Sequence, residues 1–391
     1  MLPKKSQVAE SEGMAEVPVN GRVLAWARTI RGLSIDEAAG RLEMDPDILR
    51  AYESGAKKPL VGVLRLISQK YQINFTSLLM PEPLPPVQGP ADHRTRANAK
   101  PLSMDSLIAI EEVSEALEVF EDIASENSRV IQKLRIGTAT LDDDPEEVAI
   151  RERRRFGVSI DDQKHWRGTD GARRHWRALI EDKGVFTYMI PMPTDELSGF
   201  SIFRNDLAAI CVNDRESTEG AKLFTLFHEY CHLLLRQAGI SDENDNNRVE
   251  KFCNQFASSF LIPRSALKEA VAGATLPYEF TDYEVKTLAT LFRVSNRAIA
   301  LRLEKIGFAP SGFYARRTAP WDIPSEPKLV LKNPKDKGGP SAITLRIKRV
   351  GRLHAGTVLN AVERRAINSF DASELMGMKF ASFGKIKAAL G

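Results

Sequence analysis

The stretch His228-Glu229-Tyr230-Cys231-His232 sets two imidazoles four residues apart, with a carboxylate beside the first. On an α-helix, residues four apart share a face, so both rings can reach one metal ion. Glu229 falls about 100° further round, close enough to handle the proton of a metal-activated water without being a ligand. The chain holds six His and 52 acidic residues, and a random His-acid-x-x-His arrangement would occur roughly once in a hundred such chains. The competing reading is two half-buried histidines bridged to nearby acids.

A zinc site needs a third protein ligand. Residues 248–263 read as a second helix, with Val249, Phe252, Phe256 and Phe260 at helical spacing and Pro263 closing the run. Glu250, near its start, is placed to reach back to the first helix. Two His and one Glu leave the fourth zinc position open, the arrangement of catalytic rather than structural zinc (Zn2+). Zinc chemistry then assigns Glu229 the proton of the attacking water and its delivery to the leaving amine. Spacing does not identify an oxyanion donor; Tyr188 and Tyr230 are candidates, and either can equally be packing.

HEYCH followed by E-x-x-C-N-x-F-A-x-x-F-L-I-P resembles the ImmA/IrrE metallopeptidase family, whose usual forms are HExGH and ExxANxFAxxLLMP. Trp176 to Glu181 with Gly184, Ser198-Gly199-Phe200, Ile210 to Asn213 and Phe224-Thr225-Leu226 agree with the same pattern. The resemblance covers residues 145–310. It implies a zincin-like HExxH domain with a gluzincin-like ligand set, acting as a zinc-dependent endopeptidase that cleaves a repressor protein. By position it makes His228, His232 and Glu250 the metal ligands and Glu229 the general base. Two residues depart from the pattern: Cys231 stands for the usual Gly and Cys253 for the usual Ala. They read either as a redox-sensing or zinc-competing thiol pair, or as two small apolar core residues.

Around this centre, short β-rich runs at 185–191, 200–203 and 208–212 predict a small sheet ahead of the zinc helix. Asp142-Asp143-Asp144-Pro145 starts the catalytic domain with a cap and a proline. Residues 285–303 read as helix, turn, helix with the turn at Val294-Ser295-Asn296; they belong with the peptidase domain, and a DNA-reading role for Arg293, Arg297 and Arg302 is the lesser alternative.

The N-terminal end carries a second module at 19–80, after a disordered 1–18. Its helices run over 22–30, 34–42, 47–54 and 63–67, with a last one at 75–79, and Ser34 with Glu37 forms a capping box. Tyr52-Glu53-Ser54-Gly55 followed by Pro59 resembles the end of the recognition helix in XRE/Cro-type helix-turn-helix domains. That implies DNA binding, with Arg50, Lys57 and Lys58 as contacts. The segment has nine basic and six acidic residues, yet the recognition helix opens with Asp45-Pro46-Asp47, which would face phosphates. The alternative is a module that docks a protein partner or forms a homodimer.

A Pro-rich linker at 81–102 follows, then a long amphipathic connecting helix at 103–136, a dimer seam or interdomain strut, with Leu107, Ile110, Val113, Leu117, Phe120 and Ile123 on one stripe. A basic C-terminal domain at 327–391 has 13 Lys and Arg against four acids, while residues 81–326 carry 31 against 39. It suits nucleic acid, an acidic partner, or the acidic middle of this same chain. Within it, 343–350 alternates like a strand and 358–387 reads as short helices.

The whole predicts an α+β, mostly helical protein of two or three modest domains: a five-helix XRE-type module, a zincin-like domain with a small sheet, and a small basic module. No apolar run approaches the ~20 residues of a membrane span. Three Cys, without Cys-x-x-Cys or a secretory leader, point to the reducing bacterial cytoplasm. The leading reading is a repressor-cleaving zinc endopeptidase, with a repressor of XRE type as one candidate target and DNA contacts through 19–80. The alternatives are a DNA-binding regulator whose zinc domain is a sensor without proteolytic activity, and an antitoxin-like interaction protein.

Overall fold

The computed structural model describes residues 16–83, 102–127, 129–236, 243–318 and 340–391. The disordered segment expected at 1–18 and the Pro-rich linker at 81–102 lie almost wholly outside these residues. The chain divides into two compact units, the first ending at Glu112 and the second beginning, in the described chain, at Val113.

In the first unit, α1 (Gly21–Thr29), α2 (Ile35–Leu42), α3 (Pro46–Glu53) and α4 (Val61–Tyr71) precede a single 3-10 turn at Ser77–Leu79, which stands where a fifth helix was expected. Local chemistry sets each start. Asn20 caps α1, Ser34 and Glu37 form the reciprocal box on α2, and Asp45 caps α3 ahead of Pro46 at its first turn. Leu24, Ala27, Leu42, Leu49, Leu64, Ile67, Tyr71 and Leu78 fill the core. Gly21 lets α1 touch the end of α3: a Cβ there would stand 2.3 Å from the Glu53 carbonyl oxygen. Arg28 ties the same helices through a bidentate pair with Glu53 at 2.8 and 2.9 Å.

Helix α5 (Met104–Glu126) is shorter than the sequence suggested. It stops because the Asn127 side chain accepts from the Arg129 amide, turning the chain, and Arg135 then bonds the Lys183 carbonyl in an extended run.

The second unit continues with α6 (Pro145–Phe156), α7 (Ile160–His165) and α8 (Gly168–Glu181). The sheet follows, β1 (Val185–Ile190), β2 (Gly199–Arg204) and β3 (Leu207–Asn213), in the order β1-β3-β2. Strand β3 is parallel to β1 and antiparallel to β2. Every residue of β1 and β3 is buried, so both their faces are covered and the strands read as continuous apolar runs. Strand β2 is an edge, buried at Gly199 and Phe200 and opening toward Arg204.

Helices α9 (Glu219–Leu235) and α10 (Glu243–Leu261) come next, followed by α11 (Arg264–Ala270), α12 (Asp282–Phe292), α13 (Asn296–Lys305) and α14 (Phe313–Thr318). Trp176, Ile180, Val185, Ile210, Val212, Phe227, Phe256 and Phe260 join α8, the sheet, α9 and α10 in one core. On the sheet's other face, Phe120 of α5 stacks on Phe186 at 4.7 Å.

The basic end forms α15 (Ala342–Glu363), α16 (Ser369–Met376) and α17 (Phe383–Leu390). The strand expected at 343–350 is instead helix. Ser341 caps it by accepting from the Thr344 amide, and the apolar residues that turn inward are Ile343, Ile347 and Val350, a helical spacing, while Leu345 is 51% exposed. The alternation was a coincidence of composition. Helix α15 breaks at Gly351 (φ 85°), whose missing side chain admits the Glu181 carboxylate and the Thr187 carbonyl. Glu181 then accepts from the Arg352 and Leu353 amides at 3.0 and 3.3 Å, capping the second half of the helix. Lys348 binds Asp214 at 2.7 Å, and His354 Nδ1 meets the Tyr188 hydroxyl at 2.9 Å. The basic segment is therefore packed on β1, within the same compact unit as the sheet.

Candidate metal centre

Thr218 starts α9 by accepting from the Ala221 amide, and the helix then runs unbroken to Leu235. That continuity puts His228 and His232 on one face, with their Nε2 atoms 3.1 Å apart. Glu250 arrives from the neighbouring α10, its Oε2 3.4 Å from His228 Nε2 and its Oε1 3.4 Å from His232 Nε2. All three are partly buried, and among the described residues this is the one His/Cys/Asp/Glu group whose donor atoms converge within 4.8 Å.

The spacing can be tested against a metal. At zinc–nitrogen and zinc–oxygen distances of about 2.0–2.1 Å, the edge of a tetrahedron is about 3.3–3.4 Å. The two Nε2 atoms, 3.1 Å apart, lie near that edge, and each carboxylate oxygen of Glu250 stands 3.4 Å from a different ring, so the three side chains crowd around one point. Two imidazoles and a carboxylate are also the ligand chemistry of catalytic zinc. The residues fit the ion.

The surroundings orient the donors. His228 Nδ1 lies 3.2 Å from the Asn254 Oδ1. With Nδ1 carrying the proton donated to that oxygen, the Nε2 lone pair faces the centre. Asn254 sits one turn after Glu250 on α10; the sequence reading assigned it no role, although it is the Asn of the E-x-x-C-N-x-F-A motif and stands i, i+4 from a ligand candidate. Glu229 is 5% exposed and outside the converging set, under the head of strand β2, where a Cβ on Gly199 would come within 3.3 Å of its Cγ.

The electrostatics follow the same geometry. Burial pushes the Glu250 carboxyl up, but hydrogen bonds and charge from His228 and His232 outweigh it and hold the pKa well below the usual carboxylate range. Burial likewise disfavours a charged His232, yet Cys253, Glu250 and Glu229 raise its pKa above the ordinary imidazole value. Cys253 cannot supply a negative charge to that effect, because burial and the neighbouring Cys231 raise its own thiol well above the normal range. The carboxylates are the physical cause.

Both cysteines are free and fully buried. A buried, protonated thiol is a poor nucleophile and a poor metal ligand, so this placement favours packing over redox chemistry. Neither tyrosine serves the centre. Tyr230 is buried with its hydroxyl donated to Glu152 at 3.0 Å, and Tyr188 is engaged by His354 on the opposite face of the sheet.

Residues 180–304 match the family model of the IrrE N-terminal-like domain, Peptidase_M78. The stretch is a metallopeptidase-like domain. It runs from the end of α8 through the sheet to the end of α13, and so contains His228, Glu229, His232, Glu250 and Asn254. The ImmA/IrrE resemblance read from the motifs is borne out over this span. The IrrE-like match does not extend to the N-terminal unit or to α15–α17. No curated protein matches the chain.

Within the IrrE-like domain, the helix-turn-helix at α12 and α13 spends two arginines internally. Arg293 donates to the Lys164 carbonyl, and Arg302, 2% exposed, bonds the Ile262 carbonyl and Glu146. In the N-terminal unit, Arg50 is paired with Asp47 at 2.6 Å and Asp36 at 3.7 Å. Lys57 lies over the Tyr52 ring, and Lys58 is exposed. Among the described residues, no helix is long and apolar enough to cross a membrane.

Proposed function

We propose that the chain is a zinc-dependent endopeptidase acting in transcriptional regulation by cleaving a repressor protein. The observation that carries this reading is the convergence of the donor atoms of His228, His232 and Glu250 within 4.8 Å, with Glu229 alongside but outside the set. Nε2 of each histidine and one Glu250 oxygen would hold the ion. A zinc ion there supplies a Lewis acid that acidifies a water and polarises a carbonyl.

The protein's own groups do the rest. Glu229, buried beside the donors, takes a proton from the attacking water and returns it to the departing amine. Its low exposure keeps bulk water from competing for that proton. Asn254 fixes the His228 ring so that one nitrogen stays available. Strand β2 has one side paired to β3, and among the described residues no further strand pairs its outer edge. An extended peptide can add there by main-chain hydrogen bonds, which suits a substrate presented as an unfolded or looped segment.

For the N-terminal unit we propose DNA contact through Lys57 and Lys58, carrying the peptidase to a DNA-bound repressor. A second reading has a specific observation behind it. The start of α3 presents Asp45 and Asp47, and Arg50 is already neutralised by Asp47 and Asp36, which favours a protein partner over phosphate.

The decisive experiment compares new protein N-termini in the native cells between wild type and Glu229→Gln, with zinc supplied and stress varied. A peptide end present only in wild type, in a small helix-turn-helix repressor, is the expected result. No difference under any condition, from protein shown to hold zinc, overturns the peptidase reading in favour of a sensor.

A further inference from the structure

At Gly199 the head of β2 rests on the face of α9 that carries Thr225 and Glu229, with no room for a side chain. An ideal Cβ on Gly199 would stand 2.6 Å from Thr225 Cγ2, 2.8 Å from the Cys211 carbonyl oxygen and 3.3 Å from Glu229 Cγ. Thr225 and Glu229 are four apart on α9 and form one ridge, and Gly199 is where the head of β2 rests on it. The requirement is one of space, since no left-handed backbone conformation is involved at this glycine.

The neighbours have little room to yield. The Cys211 oxygen belongs to β3, whose ladder pairs Gly199 with Val212 and Phe200 with Cys211. Thr225 is β-branched, 7% exposed and stiff about its first side-chain torsion. A methyl group at 199 must therefore lift the edge strand from the helix or push the Thr225–Glu229 ridge aside. The metal donors lie outside this contact, because His228 and His232 turn toward Glu250 on α10.

We propose that Gly199 is a positioning residue for Glu229: the bare backbone at the head of β2 sets how deep the Glu229 carboxylate sits beneath the strand along which a peptide would lie. The inference rests on the metallopeptidase reading and adds to it a determinant of the base's position that is neither a ligand nor a reacting group. It also explains why this edge strand can approach a helix bearing a carboxylate so closely. At Ser201, the next β2 residue facing the same way, the strand is already partly exposed.

The test uses the full chain loaded with Co2+, whose visible absorption reports the site, and acetohydroxamate as a small probe that binds the metal and hydrogen-bonds to the base. Wild type, Gly199→Ala, Glu229→Gln, their double mutant, and Gly199→Ala with Thr225→Ser are compared. All should bind one Co2+ with unchanged affinity. Gly199→Ala and Glu229→Gln should each weaken acetohydroxamate about tenfold, and the double mutant should lose no more than the worse single, the mark of two residues acting through one contact. Thr225→Ser, which removes the clashing Cγ2, should recover part of the Gly199→Ala loss. Probe binding unaffected by Gly199→Ala, losses that add in full, or Co2+ lost together with the probe would overturn the role of Gly199. Failure of the wild type to bind Co2+ would instead overturn the metallopeptidase reading itself.

Discussion

Replacing Asn254 with Ala removes the side-chain oxygen that His228 Nδ1 meets on the side away from the centre, a contact of 3.2 Å. Two magnitudes compete. Groups that hold the far ring nitrogen of a zinc-bound histidine are typically worth 10- to 100-fold in metal affinity. Asn254 is exposed, however, and a neutral hydrogen bond in contact with water contributes only about 0.5–1.5 kcal/mol, or about two- to tenfold. Exposure decides, so Asn254→Ala should weaken zinc by about three- to tenfold. Asn254→Asp should bind at least as tightly as wild type, because a charge-assisted bond is roughly twice as strong and raises the basicity of the ring. The assay is competition against a chromophoric zinc chelator at fixed pH and salt, with thermal unfolding of the zinc-free proteins as a control for folding. An Asn254→Ala protein that binds zinc like wild type, or an Asp variant weaker than the Ala variant, would falsify the assignment of Asn254 as the orienting partner.

Three further outcomes follow from the packing. Gly351→Ala puts a Cβ 2.4 Å from Glu181 Oε1 and 2.6 Å from the Thr187 carbonyl, at a backbone conformation reserved for glycine, and should cost about 2–5 kcal/mol in denaturant unfolding; a loss below about 1 kcal/mol would contradict the break as drawn. Tyr230→Phe removes the donor to Oε2 of the buried Glu152, whose Oε1 keeps Arg155 at 3.1 Å, and should destabilise by about 1–3 kcal/mol while leaving zinc affinity unchanged; a change in zinc affinity would return Tyr230 to the metal centre. Burial pushes the Asp214 carboxyl up, but Lys348 and Lys222 outweigh it and lower the pKa. A depressed acid contributes stability above its unfolded value of about 3.9, lost as pH falls through the folded value. The stability deficit of Asp214→Asn should therefore be full at neutral pH and shrink below about pH 4, and a deficit constant down to pH 2 would count against the link.

The ligand helix was legible because its information is local. A four-residue spacing of His228 and His232 means one thing on a helix, and Thr218 and the apolar residues of α9 leave little doubt that a helix forms. The Ser34–Glu37 capping box and the three strands were equally local. The errors share a cause too. Ile343, Leu345 and Ile347 alternate, but alternation over three residues weighs less than the Ser341 cap and the burial of Val350. Residues 127–134 kept an apolar content compatible with helix, while the turn that ends α5 depends on Asn127 and on pairing with Lys183, residues far apart in the chain. The tyrosine candidates failed because residue type says what a hydroxyl can do and not which way it points.

The sequence by itself determined the donor types, their helical face and the base beside them, since periodicity and side-chain chemistry act over a few residues. Only the tertiary structure decided that Glu250 closes on both histidines, that Asn254 holds one of them, that the two cysteines are buried, and that the basic C-terminal helices cover β1. Each of these depends on how far one helix stands from another. That distance is set by close-packed side chains and by places such as Gly199 and Gly351, where a missing Cβ lets two backbones approach, and no local pattern encodes it.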